Sequence, residues 1–371
     1  MSLAFTVFDG AVFDPTLNVT ALMNKIIKAI IRAGIAVSIV FFSGCTISGQ
    51  PRTRLGSYAT STPGTNFLGI DNLGKHCYDN FLFEENGIVY TCRGGHIDIA
   101  HLRIAADYVR YLYNLTRKQL LNDESEFTFK LNVEPSHYFV TLKYPDNWKT
   151  LPRKEKERIA RELALGLSQY FTYTMTTWHE ILTFYGYKCM YFLPEEPSAF
   201  SWEDIYSNLL GVRLGAQALQ NKDYGYNKAM TVLIKKELEK LQIQPAKTAW
   251  QAAEKMRGKW FKGVVFIDMI ERNMDVGLEN GFVTPILVPG VCENAKPRPY
   301  PVPTLDTLNK YGFTMSFEVQ PEEFEKNKIF KIIYPNGGGK RIRFPEHLVE
   351  IMDYTKAEAI KRGYVIMRSG H

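Results

Sequence analysis

The sequence predicts an α+β protein: a helical core carrying one β-hairpin, followed by a strand-rich C-terminal part. Three observations predict it. Apolar residues recur at helical spacing through much of residues 96–257. One pair of segments, FTFKLNV and HYFVTLKY, alternates at period two around Glu134-Pro135-Ser136. Beyond Trp260 the texture changes to short β-prone runs, VVFID, FVTPILVPG, TMSFEV and KIFKIIYP, with prolines crowded between 285 and 303. At 371 residues, 45% apolar and 23% charged, the chain has a globular composition and enough length to bury a core without disulfides. Its net charge of +6, from 45 basic and 39 acidic residues, is mixed along the chain, so nothing calls for nucleic acid as a partner.

The first local signal begins at Met23. Lys25, Lys28 and Arg32 precede an uncharged run at 33–42 (AGIAVSIVFF) that ends in Ser43-Gly44-Cys45. That run is half the roughly 20 residues a membrane-spanning helix needs, so residues 23–44 read as a signal peptide. The pattern resembles bacterial lipoprotein processing, with Cys45 as the lipid attachment site and Phe42 where that family usually has Leu. A buried N-terminal helix is the alternative. Residues 1–22 lack a basic start and read as an upstream extension. Residues 45–72, rich in Gly, Ser, Thr and Pro, read as a flexible tether. The expected location is the bacterial cell envelope, lipid-anchored; Thr46 after the cysteine suggests the outer membrane, facing the periplasm.

Residues 73–300 then form the expected, mainly helical core domain, and 301–371 a C-terminal α/β extension packed on it. A first helix is expected after Gly94-Gly95, its apolar stripe running Ile97, Ile104, Tyr108, Tyr111 and Leu115 with His101 inside it. A second starts after Pro152 and carries no Asp, Glu, Lys, Arg or His from 163 to 178, the mark of a central, buried helix. A third begins at Ser201-Trp202-Glu203-Asp204, further helices lie near 226–241 and 246–261, and a last one near 345–361. KIIYPNGGGKRIRF reads as a hairpin with its glycines at the turn; a phosphate loop would need a helix directly after them. With Cys45 set aside, Cys77, Cys92, Cys189 and Cys292 allow three pairings. Cys77 with Cys92 is the preferred bridge because they flank a segment with a hairpin-like Asn86-Gly87; four buried thiols are the alternative.

Chemistry centres on two histidines. His179-Glu180 lies on the expected buried helix, where an ionised carboxylate is costly without compensation. Half of an H-E-x-x-H motif is present, but Thr183 occupies the second histidine position. Asp98 and His101, three apart on the first helix, can supply two further ligands on one face. His96 would lie about 140° from His101 on a helix and could join only from the N-cap. The enzyme hypothesis is therefore a metal-assisted hydrolase in which His101, His179 and Asp98 hold Zn²⁺ and Glu180 activates the bound water. In the alternative, both histidines are core residues of a non-catalytic envelope lipoprotein that binds a partner or wall component. Three weaker constellations are Glu203 and Asp204, which fit helix capping; Asn273, Asp275 and Glu279, which fit calcium or a Gly-rich hairpin; and Cys92 with His96 or His101 as thiol and base.

Four stretches, RGGHIDIAHLRIAADY (93–108), TTWHEILTFYG (176–186), SAFSWEDIYSNLLG (198–211) and RNMDVGLENGFVTPILVPG (272–290), together resemble the bacterial domain-of-unknown-function family numbered 4056. The resemblance implies that these segments form one unit over roughly 75–300. It implies no mechanism.

Overall fold

Helix α1 (Ile99–Leu121) starts three residues later than the glycines suggest, because Asp98 is its N-cap: the carboxylate accepts the Ala100 N–H at 2.6 Å. Residues before it are extended. Strand β1 (Ile88–Thr91) pairs antiparallel with β2 (Gly95–Asp98), which places His96 on a strand. Gly95 turns the corner at φ +65°, and a Cβ there would lie 2.1 Å from the Ile286 carbonyl oxygen, so no other residue fits. The computed structural model describes residues 49–367 except 133, 190–192, 195, 265 and 266. The expected signal peptide, the upstream extension and the lipid site Cys45 lie outside the described residues.

Helix α2 (Arg153–Phe184) is the buried central helix the sequence suggests, with Ile159, Leu163, Leu167, Phe171, Trp178 and Ile181 in the core. Helix α3 (Asp204–Gln220) crosses α1 backbone to backbone. A Cβ on Gly211 would sit 2.1 Å from the Leu102 oxygen, and one on Gly215 2.7 Å from that of Ala106. This contact decides which face of α1 goes inward: Leu102, Ala105, Ala106, Val109 and Leu112 are buried. Of the expected stripe, Tyr108 on α1 and Ile97 on β2 are buried, whereas Ile104, Tyr111 and Leu115 lie at the rim, and so does His101. Small residues won because they permit the closer approach.

Helices α4 (Tyr226–Lys240) and α5 (Ala246–Lys255) follow, with α4 packed on α3 and α5 against β1. The predicted hairpin is present as β3 (Glu126–Lys130) and β4 (His137–Lys143). After the short helix α6 (Asp306–Lys310), strand β5 (Thr314–Gln320) pairs with β4 along its whole length, and β6 (Ile342–Phe344) completes an antiparallel sheet of order β6-β5-β4-β3. The C-terminal part thus shares a sheet with the core domain. Phe129, Tyr138 and Phe317 line the sheet face toward Phe171 of α2, whose ring centroid is 4.6 Å from that of Phe317. KIFKIIYP is not a strand but helix α7 (Lys326–Ile333), so the expected hairpin through the glycines does not form. Helix α8 (Glu346–Lys361) closes the fold much where predicted.

Two expectations fail for one reason, the reach of long-range contacts. Cys92 bonds to Cys292, not Cys77, with Cα atoms 5.4 Å apart across 200 residues. The segment at 286–288 lies over the β1–β2 hairpin, where the Val288 N–H donates to Tyr90 Oη at 3.1 Å, and this brings Cys292 to the turn. Cys77 faces α4 instead, beside Asn227, and is a free thiol. The segment read as a tether is folded from Gln50 onward: Arg54, Ala59, Thr60 and Ser61 are buried. Among the described residues no helix is long and apolar enough to cross a membrane.

Candidate functional site

The junction of β2 and α1, the start of α3 and the last turns of α2 meet beneath residues 56–59. Asp98 is fully buried: Oδ1 caps α1, while Oδ2 accepts the Ser57 N–H at 2.7 Å and lies 2.9 Å from His101 Nδ1. The imidazole therefore carries its proton on Nδ1 and donates it to Asp98. Asp204 Oδ1 stands 3.5 Å from the same nitrogen. Gly56 lies over the ring, since a Cβ there would come within 2.7 Å of His101 Cε1. The His101 side chain is 25% exposed, the Asp98 and Asp204 side chains 0% and 5%.

Three more carboxyl features surround this pair. Asp204 Oδ2 accepts from Ser201 Oγ at 2.7 Å and from the Ser201 N–H at 3.1 Å, the side-chain half of the expected S-x-x-D cap. Glu203 Oε1 accepts the Ala59 N–H at 2.7 Å, and its buried Oε2 has no hydrogen-bond partner among the described residues. Glu180 Oε2 accepts the N–H of Phe200, a residue held at φ +55°. Sequence reasoning asked what compensates the Glu180 charge; the answer is this N–H together with the field of two histidines.

Burial and mutual repulsion displace the titrations. Burial raises Glu180 to about 7, the charge of Asp204 pushing the same way and His179 and His101 opposing it. Burial likewise raises Asp204, against His101, and drives Glu203 well above the carboxylate range with Asp204 adding to it. For His101 burial disfavours the cation, but Asp98, Asp204 and Glu180 outweigh it and hold the imidazolium to well above the ordinary histidine range. The arrangement is a partly open imidazolium in a pocket of buried acids.

The four residues predicted to form a zinc site separate into two groups. Asp98 and His101 touch each other, and Glu180 acts on His101 through its charge. His179 turns to the β3–β4 loop, where Nδ1 is 2.7 Å from Glu134 Oε1, with Tyr138 Oη donating to the other oxygen. Among the described residues no group of three or more His, Cys, Asp or Glu side chains could hold a metal ion. The donors also suit zinc poorly, because Asp98 is saturated by two N–H groups and an imidazole that stays protonated.

His96 takes no part. Its Nδ1 accepts from the Trp202 indole at 3.3 Å and Nε2 donates to the Ala249 carbonyl at 3.1 Å; burial lowers it to about 4. Cys92 is disulfide-bonded and is no nucleophile. Asn273 and Asp275 cap successive turns through the N–H groups of Asp275 and Gly277; the flanking segments at 271–272 and 282–283 pair elsewhere, so the stretch is a run of turns and not the expected hairpin.

A second buried cluster escaped sequence reasoning. Arg54 Nη1 pairs with Asp107 Oδ2 at 2.7 Å and Arg54 Nε with Glu84 at 2.9 Å, while His76 Nε2 lies 3.0 Å from Asp107 Oδ1. Arg52 also pairs with Glu84. Burial opposes the Glu84 charge, yet Arg54 bonded to it brings the carboxyl down to about 2. These residues come from the presumed tether, an irregular loop and α1, so no local spacing marks them.

A family model with the description "Protein of unknown function (DUF4056)" matches residues 63–268. No curated protein and no solved structure matches the chain. The matched span holds Asp98, His101, His179, Glu180, Glu203 and Asp204, whereas the covering residues 56–59 and the stretch at 272–290 fall outside it. Covering more than half of the chain, from before β1 to past α5, the match establishes that this protein belongs to the DUF4056 family.

Proposed function

We propose that the chain is an acid–base hydrolase carried on the bacterial envelope by a lipid at Cys45. One observation carries the chemistry: three buried carboxyl groups, Asp98, Asp204 and Glu180, act on the partly open imidazole of His101, with buried Glu203 beside Asp204. Such an excess of acid is costly for folding, and groups displaced in this way concentrate at functional sites. In this reading Glu180, titrating at about 7, takes a proton from the attacking water and returns it to the leaving group. His101, oriented and kept cationic by Asp98, offers Nε2–H to the negative charge that develops on the substrate oxygen. Ester, peptide and glycan bonds are all open as substrates. The lipid anchor rests on the pattern at 23–45, and the Cys92–Cys292 bond supports it because such bonds persist in oxidising compartments.

Assay of the full chain on ester, peptide and glycan panels tests the chemistry. The expected kcat/KM rises with pH along a limb centred near 7, and Glu180→Gln and His101→Gln each abolish turnover. Wild-type rates in both variants would end the reading. The zinc alternative is read from metal content in the same preparations: stoichiometric metal lost in His179→Ala would restore it. Fatty-acid labelling, with Cys45→Ser as control, tests the anchor.

A second reading has its own observation. Each of these carboxylates accepts a main-chain N–H, from Ser57, Ala59, Ala100, Phe200 or Ser201. A non-catalytic binding lipoprotein could use the cluster simply to clamp its loops. In that case Glu203→Ala, which removes the acceptor of the Ala59 N–H, would lower the melting temperature and expose residues 56–62 to protease.

A further inference from the structure

Asp79, Asn80, Phe81, Leu82 and Phe83 form a loop whose three apolar side chains are turned to solvent, at 68%, 53% and 76% exposure for Phe81, Leu82 and Phe83. Three successive large apolar residues at one tip are unusual on a water-facing surface. The loop is also rigidly presented. Gly74 and Glu84 bridge its base, Lys75 N–H donates to the Phe83 carbonyl at 2.6 Å, Asn80 Oδ1 accepts the Leu82 N–H at 3.0 Å, and Phe83 is held at φ +71°. A bulky residue at positive φ is strained, so the display is maintained against a backbone cost.

The same loop is fastened to the first described residues of the chain. Tyr78 Oη donates to the Gly49 carbonyl at 2.7 Å, Arg54 donates to the Cys77 carbonyl at 3.0 Å, and Arg52 and Arg54 both pair with Glu84. Gly49 is four residues from Cys45. At about 3.5 Å per extended residue, the chain can carry a lipid on Cys45 no farther than roughly 14 Å from Gly49, the residue that Tyr78 of the loop holds. Beside it is a shallow, open depression lined by Asp79, Arg110, Gly225, Tyr226, Asn227 and Lys228. Arg110 stacks over Tyr78 at 4.1 Å, and Lys228 Nζ sits 4.1 Å from the ring of half-exposed Tyr224. Cations and tyrosines next to an apolar tip match the chemistry of a headgroup layer above acyl chains.

We propose that Phe81, Leu82 and Phe83 insert into the outer acyl layer of the same leaflet that holds the lipid on Cys45, fixing the orientation of the folded body on the membrane. The proposal rests on the lipoprotein reading given above. Two points of attachment, one covalent and one a loop, would keep the body from tumbling on its anchor and give its site a constant facing.

Leu82→Trp in the full, lipid-modified chain tests this, since Leu82 is exposed and the substitution leaves the core untouched; Phe83→Trp is the second reporter. The protein is placed in phosphatidylethanolamine–phosphatidylglycerol vesicles with and without bromine on the acyl chains. The added emission, taken as variant minus wild type, is expected to shift to the blue and to lose most of its intensity with brominated lipid. A water-like, unquenched signal overturns the proposal, and a blue-shifted but unquenched signal overturns it in favour of contact with a second copy of this chain. Mass analysis of the same sample separates the two readings: quenching without an acyl chain on Cys45 would leave the loop proposal standing and remove the anchor.

Discussion

The two buried charge clusters teach opposite lessons. In the Arg54–Glu84–Asp107 cluster, joined by Arg52, two guanidinium groups face two carboxylates, and the side chains of Arg54, Glu84 and Asp107 are at most 1% exposed. Its carboxylate Glu84 is pulled down to about 2. Around His101 the acids outnumber the base, one face is open, and Glu180 is pushed up to about 7. Both clusters bolt the 50–62 segment to the helical body, the first through Arg52 and Arg54, the second through Ser57 and Ala59. In the second, Glu180 exchanges its proton near neutral pH. Balance marks the cluster that holds the fold; imbalance marks the one with capacity for chemistry.

The largest expected effect is on the balanced cluster. Asp107→Ala leaves Arg54 buried without one of its anions, and removing one partner of a buried pair costs about 3–5 kcal/mol. Urea denaturation should show that loss. Glu180→Gln, which removes an acid from an overcrowded site, should stay within about 1 kcal/mol of wild type or gain. Equal losses in the two variants would erase the distinction.

The pH dependence should run in opposite directions. Glu84 binds no proton in the folded state until about 2, while an unfolded glutamate protonates near 4.5. Its contribution is present above pH 4.5 and lost as pH falls through 2. Glu180 keeps its proton in the folded state up to about 7, against the same unfolded value. Its contribution is present below pH 4.5 and lost as pH rises through 7. Each amounts to about 1–3 kcal/mol. Denaturation curves from pH 3 to 8 should therefore steepen on the acid side through Glu84 and slope down toward neutrality through Glu180, and Glu84→Gln and Glu180→Gln should each flatten one limb only.

What the sequence made legible follows from the range of the contacts. The β3–β4 hairpin could be read because its strands are buried on one face and alternate cleanly. Asp98 with His101 and Ser201 with Asp204 could be read because helical geometry ties residues three apart. KIFKIIYP misled because Ile329, Phe330, Ile332 and Ile333 in so short a run satisfy either period. Glu134, Cys292, Ser57 and Ala59 meet their partners across 41 to 200 residues of chain, and no local period records such a meeting. The missing parts are those that close the site from outside: the loop that holds His179, and the segment mistaken for a tether.

The smallest expected effect is the sharpest test of that covering segment. Gly56 has an ordinary backbone conformation, so Gly56→Ala carries no left-handed strain, but its Cβ would lie 2.7 Å from His101 Cε1 and 3.2 Å from Asp98 Oδ2. The ring is partly open and can yield by a fraction of an ångström, so stability should change by less than about 1 kcal/mol. The proton chemistry should change more. Moving the imidazole away from Asp98 and Asp204 weakens the attraction that sustains its cation, and the His101 resonance followed by NMR should titrate at lower pH than in wild type. If His101 only fills space beneath the loop, the variant should shift the resonance position and leave its titration midpoint unchanged. A lowered midpoint with a parallel loss of turnover would show that residues 56–59, outside the family match, tune the site that the family residues build.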